Sequence, residues 1–281
     1  MMNLRKNRSK PPRKPLGEKL LYCFKSTRNG SPSYILGLAL LFAVALTSCS
    51  KVHHLANVEN TNYQLEESVH PEVDSAVLHV IAPYKQTLEK TMGEEIGIAR
   101  DTLYRTHPDG SLNRWVADVM HKGAEEHSDR PIDFAVQNFY GLRIERIPQG
   151  PISLGLIYEL MPFENYLVMQ DIPGTVVEEL CNLIAGYGGW PVSKGLSFVI
   201  SDGVADSIIV KGEPLNVDKI YRIATNDYVA NGGDHCVFLT PFEAINTGVL
   251  VRELLVEHIE SQTRMGNSIG EKDGEARIIV R

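Results

Sequence analysis

A twelve-residue apolar run, Ile35 to Leu46 (ILGLALLFAVAL), decides how much of this 281-residue chain is available to fold as a domain. A membrane-spanning helix needs about 20 apolar residues, whereas an export signal has an apolar centre of about 7–15 behind a basic stretch. Residues 1–30 hold nine Lys or Arg (Arg5, Lys6, Arg8, Lys10, Arg13, Lys14, Lys19, Lys25, Arg28) against one acid, Glu18. With 28 basic and 35 acidic residues in the whole chain, 19 basic and 34 acidic are left for the remainder, a net charge near −15. That balance lacks the clustered cations a phosphate backbone demands, so nucleic acid is excluded as an expected partner.

Directly after the run, Leu46-Thr47-Ser48-Cys49 resembles a bacterial lipobox. An aliphatic residue and two small ones fit the peptidase cleft, and the thiol accepts a diacylglyceryl group. Residues 1–48 are therefore expected to be a lipoprotein signal peptide, with Cys49 the lipidated first residue of an exported, membrane-anchored chain facing the periplasm or the cell surface. An uncleaved single-span anchor is the alternative reading. Residues 49–73 are polar and non-periodic and are expected to tether the domain to the membrane. His53-His54 within them has no third ligand nearby and reads as solvated linker. Of the four cysteines, Cys181 and Cys236 then remain in the folded part, and Cys181, set in an apolar helical pattern, reads as a small core residue.

Residues 74–281 show no Pro/Gly/Ser-rich break, repeat or low-complexity tract, so one domain is expected. Leu112, Trp115, Val116, Val119 and Met120 recur at helical spacing behind a cap at Asp109 or Ser111. Thr175-Val-Val-Glu178 reads as a capping box for a helix burying Val176, Leu180, Leu183 and Ile184. Val249 to Ile259 predicts a further helix with Val251, Leu254, Leu255 and Ile259 inward. Strands are expected at Ile132–Val136, Tyr166–Gln170, Leu196–Ile200, Ser207–Val210, Tyr221–Thr225 and Ala276–Val280. The uneven alternation predicts an α+β fold, a mixed sheet with helices packed on it, rather than a doubly wound one.

Metal-ligand motifs are missing: there is no Asp-x-His, Gly-Asn-His, His-x-His or Cys-x-x-Cys, and no P-loop or G-x-G-x-x-G. No catalytic and no metal-binding residue is therefore assigned to this chain, which reads as a binding domain. Three loops stand out. Gln137–Arg143 follows a strand and offers the Asn138 amide and the Arg143 guanidinium, groups suited to a base and a phosphate. Leu160–Asn165 stops a helix and presents Phe163, which on pattern alone better suits a core residue. Ala224–His235 runs from a strand through Tyr228 into a Gly-Gly turn carrying Asp234, which suits either turn formation or a clasp on ribose hydroxyls.

In this order, Asn-x-x-Gly-x-Arg (138–143), Gly150-Pro151-Ile152-Ser153, a helix ending in Pro-Phe, and Asn-Asp-Tyr-x-Ala-Asn-Gly-Gly-Asp (226–234) resemble the C-terminal domain of the 5′-nucleotidase/UDP-sugar hydrolase family. Ser111–Asp118, Gly212–Leu215 and Lys219–Arg222 support the match, which spans residues 95–281. The resemblance implies a domain that binds a nucleotide and presents its phosphate to a metallophosphoesterase. By the same resemblance Phe163 and Tyr228 sandwich the base, Asp234 takes the ribose hydroxyls, Asn138 meets the base edge and Arg143 the phosphate. The expected function is the nucleotide-binding domain of a split 5′-nucleotidase, with no cofactor in this chain and a divalent metal in a separately encoded metallophosphoesterase. The alternatives are a non-catalytic nucleotide- or nucleoside-binding lipoprotein and a decayed structural scaffold. Departures cluster at the phosphate end. Phe139 and Tyr140 replace two family glycines, and Pro108 stands where the family has Arg, with Asp109 in the place of its Glu.

Overall fold

The structure is a computed structural model that describes residues 75–270 and 274–281. The expected signal peptide, Cys49 and the tether lie outside the described residues. Described elements run α1 (Ser75–Met92), β1 (Glu95–Ala99), β2 (Leu103–Tyr104), α2 (Ser111–Glu126), β3 (Phe134–Ala135), β4 (Arg146–Ile147), β5 (Gly150–Ser153) and α3 (Leu154–Leu160). They continue with β6 (Tyr166–Pro173), α4 (Gly174–Gly186), β7 (Leu196–Ser201), β8 (Val204–Val210), β9 (Glu213–Pro214) and β10 (Ile220–Asn226). A one-turn helix α5 (Asp227–Ala230), then β11 (Ile245–Leu250), α6 (Val251–Arg264) and β12 (Ile278–Val280) complete the order. The class is mixed α+β. The strands divide among two four-stranded sheets, β11-β6-β10-β3 and β12-β7-β8-β9, and two ribbons, β1-β5 and β2-β4.

The sheet β11-β6-β10-β3 is the organising element because both its faces are buried. Side chains alternate across a strand, and here alternate residues enter different cores. Leu167, Met169, Ala224 and Ala135 join the core beneath α2, α3 and α6. Ile172, Tyr221, Ile223 and Phe134 join the core formed with α4 and the β7 sheet. Strands β10 and β3 are parallel, whereas β6 runs antiparallel to β10 with Asn226 opposite Leu167. The chain therefore leaves β3 and β10, and enters β6, at one common end.

Two arginines fasten the opposite end and the C-terminal strand. Arg222 on β10 makes a bidentate pair with Asp171 on β6, at 2.8 and 3.0 Å, and also meets Asp129. The Arg222 hydrogen bonds hold the Asp171 carboxyl at about 2, below the usual carboxylate range. Arg277, just before β12, pairs with Asp118 on α2 and donates to the Val192 carbonyl.

Helix starts differ from the sequence reading. Asp109 accepts from Arg114 and the Arg277 amide, and Ser111 Oγ accepts from the Tyr104 amide, so α2 begins after Gly110 with no side-chain cap. Helix α4 begins one residue early, at Gly174, so Thr175 sits inside it and no capping box forms. Its buried face is accordingly turned to Val177, Leu180, Cys181 and Ile184, with Val176 and Leu183 only partly covered. A Cβ on Gly174 would lie 2.2 Å from the Asn216 carbonyl oxygen, so close packing with the β9–β10 turn sets that start. Cys181 and Cys236 are free, buried thiols. No helix among the described residues is long and apolar enough to cross a membrane.

Candidate functional site

The common end of the central sheet collects all three loops. From β3, Val136 to Arg143 pass through a single 3-10 turn at Phe139–Gly141. From β10, Asn226 caps α5 with its side-chain oxygen, 2.8 Å from the Val229 amide. Into β6 lead Phe163 to Asn165, after α3 ends at Leu160. Cross-links join each to another: the Arg143 amide donates to the Leu160 carbonyl at 2.8 Å, and Asn165 Nδ2 to Asp227 Oδ1 at 2.9 Å. Asp227 Oδ1 also receives the Tyr166 amide.

A buried amide network sits beneath this rim. Asn226, only 1% exposed, donates from Nδ2 to Gln137 Oε1 at 2.8 Å and to Asn138 Oδ1 at 3.0 Å. Gln137 Nε2 also donates to Asn138 Oδ1. Asn138, 6% exposed, then donates from Nδ2 to Asp234 Oδ2 at 2.7 Å. Gly141 makes the packing possible, since a Cβ there would lie 2.2 Å from Gln137 Nε2 and 2.7 Å from Asn138 Oδ1.

Asp234 occupies the left-handed backbone region, φ 47° and ψ 43°, directly after Gly233. Tyr228 lies across that glycine, where a Cβ would approach three ring carbons to 2.4–2.5 Å. Its hydroxyl donates to Asp234 Oδ1 at 3.0 Å and accepts from the Asp234 amide at 3.3 Å. The hydrogen bond to the carboxylate pushes the Tyr228 phenol above its ordinary value. Tyr187 is pushed the same way, first by burial and then by the Asp234 charge, and it stacks on His235 with ring centroids 6.4 Å apart.

Phe163 and Tyr228 are both open to solvent, at 38% and 47% exposure. Arg143 is exposed too, with its guanidinium carbon 4.8 Å from the Phe163 ring centroid, a cation–π distance. All five residues read from the sequence, Asn138, Arg143, Phe163, Tyr228 and Asp234, thus lie on three segments joined to one another at this sheet end. Phe139 turns inward instead of crowding the rim. It stacks on His107 at 3.7 Å between centroids and lies 4.7 Å from the Arg105 guanidinium, while Tyr140 points outward, 57% exposed. Arg105 also donates to the Leu142 carbonyl.

Gln137, Asn226, Asn165 and Asp227 were not singled out in the sequence, although Asn226 and Asp227 lie inside the matching motif. A G-x-S-x-G match at Gly266–Gly270 follows helix α6, not a strand, so Ser268 lacks the strand–turn–helix setting of a nucleophile elbow. Among the described residues no group of three or more His, Cys, Asp or Glu stands close enough to hold a metal.

Residues 90–241 match the family model for the 5′-nucleotidase C-terminal domain. Protein UshA of Escherichia coli K12 is 33% identical over 214 residues, covering 73% of this chain and 38% of UshA. A 5′-nucleotidase of Vibrio vulnificus is 27% identical over 197 residues, covering 68% of this chain and 35% of that protein. The crystal structure of a 5′-nucleotidase precursor from Thermus thermophilus superposes with a TM-score of 0.62 at 26% identity, over 74% of this chain and 43% of that one. The chain thus spans well under half the length of these relatives.

Proposed function

The chain belongs to the 5′-nucleotidase C-terminal domain family, and on that premise we propose that its folded part is the nucleotide-binding domain of a split 5′-nucleotidase. Hydrolysis of the phosphoester falls to a separately encoded metallophosphoesterase. A divalent metal there supplies Lewis-acid activation of the phosphoester and of the attacking water. The residues of this chain bind and orient: Phe163 and Tyr228 stack the base, Asp234 receives the ribose hydroxyls, and Arg143 meets the phosphate. The observation that supports the reading is two half-open aromatic rings and a fixed carboxylate on two loops at one sheet end, with Asn138 of the third loop hydrogen-bonded to that carboxylate. Anchoring through a lipidated Cys49 keeps this domain at the membrane surface on the exported side.

Calorimetric titration of AMP and adenosine into the protein tests the reading. Saturable binding of both, with AMP the tighter, is expected, and AMP hydrolysis should need added metallophosphoesterase. Binding of neither ligand overturns the nucleoside site and leaves the decayed-scaffold reading. Hydrolysis by the chain alone overturns the division of labour. A second reading, a nucleoside receptor that hydrolyses nothing, is favoured by one observation: Tyr140, where the family has glycine, stands 57% exposed on the phosphate-end loop. Equal affinity for AMP and adenosine would decide for it.

A further inference from the structure

The Tyr228 hydroxyl has no part in base stacking, yet it makes two of the contacts that hold Asp234. A non-glycine residue at φ 47° needs its surroundings to keep it there. The hydroxyl bridges the Asp234 amide and Oδ1, and Asn138 holds Oδ2 from the other side. An ionised carboxylate offers about four acceptor positions, two on each oxygen. One position on each Asp234 oxygen is taken within the protein, which leaves one on each. That remainder matches two neighbouring hydroxyl donors. Because the Tyr228 ring fills the place of a Gly233 side chain, the ring and its hydroxyl pack directly against the Asp234 turn.

Resting on the nucleotide reading above, we propose that Tyr228 is, through its hydroxyl, the positioning residue that makes Asp234 selective for the vicinal cis-diol of a ribonucleoside. The ligand class it selects is ribonucleosides and ribonucleotides over their deoxy counterparts. One tyrosine thereby couples base recognition to sugar recognition, since a base stacked on the ring presses on the group that orients the carboxylate.

The test is the ratio of affinities for adenosine and 2′,3′-dideoxyadenosine, measured calorimetrically on the full chain. The parent should favour adenosine by about tenfold or more, as expected for hydrogen bonds to a charged group. Y228F keeps the ring, and the ratio should fall by about fivefold or more. In a D234A background the ratio should already be near one, and adding Y228F should move it no further. An unchanged ratio in Y228F, including equal loss of both affinities, overturns the proposal. A further fall in the double variant places the hydroxyl on the diol itself and overturns a positioning role. Failure of the parent to bind either ligand instead removes the nucleotide reading, and the inference with it.

Discussion

Asn226→Ala should be among the most damaging single changes at the site, although the side chain touches no solvent. The carboxamide makes three hydrogen bonds within the protein: it caps α5 through the Val229 amide and supplies both protons of its amide to Gln137 and Asn138. Loss of an N-cap costs about 1 kcal/mol. Each lost buried hydrogen bond adds about 1 kcal/mol, more where a polar atom is left alone, as Gln137 Oε1 would be. The sum is about 3 kcal/mol, which for a folded unit of this size lowers Tm by roughly 6–12 °C. Asn226→Ser keeps a capping oxygen but not the bridge and should recover about 1 kcal/mol of the loss. Urea denaturation of parent, N226S and N226A is the assay, read as a shift in midpoint at constant slope. A loss below about 1 kcal/mol in N226A, or no difference between the two variants, would refute the assignment of the amide network as the foundation of the site.

Phe163→Ala and Tyr228→Ala should each weaken AMP binding by about 5- to 150-fold, the equivalent of about 1–3 kcal/mol of base stacking; a titration showing parental affinity in both would remove the stacking roles. Asp171 has a depressed carboxyl, at about 2, so its stabilisation is complete above its unfolded value near 4 and is lost as pH falls from about 4 towards 2. At a side chain 38% exposed, solvent screening limits the effect to about 1 kcal/mol, read as a flatter acid limb of the stability–pH curve in D171N. Burial pushes the Cys236 thiol up to about 12 and raises Cys181 further, so both should resist iodoacetamide at pH 8 until the protein is unfolded, with labelling mapped by mass spectrometry. Cys49→Ser should release the protein into the soluble fraction, and continued membrane association would point to an uncleaved anchor.

How much could be read in advance depended on the range of the signal. The amphipathic stripe of α2 and that of α6 were legible because helical periodicity is a property of neighbours in the chain: Leu112, Val116 and Met120, then Val251, Leu255 and Ile259, are buried where the spacing put them. Strands β6 and β10 were legible for the same reason. Strand β11 carries no comparable apolar alternation in its Ile-Asn-Thr-Gly start, and β5, which opens on Gly-Pro, is made into a strand by its partner β1. Helix α1 went unread because Pro83 interrupts its pattern and its apolar residues, Val80, Tyr84 and Leu88 among them, remain exposed. The cap of α2 differs from the sequence reading because Asp109 and Ser111 are engaged elsewhere, and that of α4 because close packing of Gly174 on the β9–β10 turn starts the helix before Thr175.

At the proposed site, the amino-acid order alone determined which chemistry the three loops carry, since an aromatic, an acid, an amide and a guanidinium are fixed by residue type. Only the tertiary structure decided their partners. Whether Asp234 meets Asn138, 96 residues away, depends on β3 and β10 lying parallel and side by side, whereas its contact with Tyr228, six residues away, forms within one segment after β10. The inward turn of Phe139 onto His107 likewise follows from packing against a core that no local pattern records. Periodicity and residue chemistry are carried by the chain as it is written; the pairing of buried polar groups is settled by which distant segments share a sheet end, where an unpaired amide costs too much to remain.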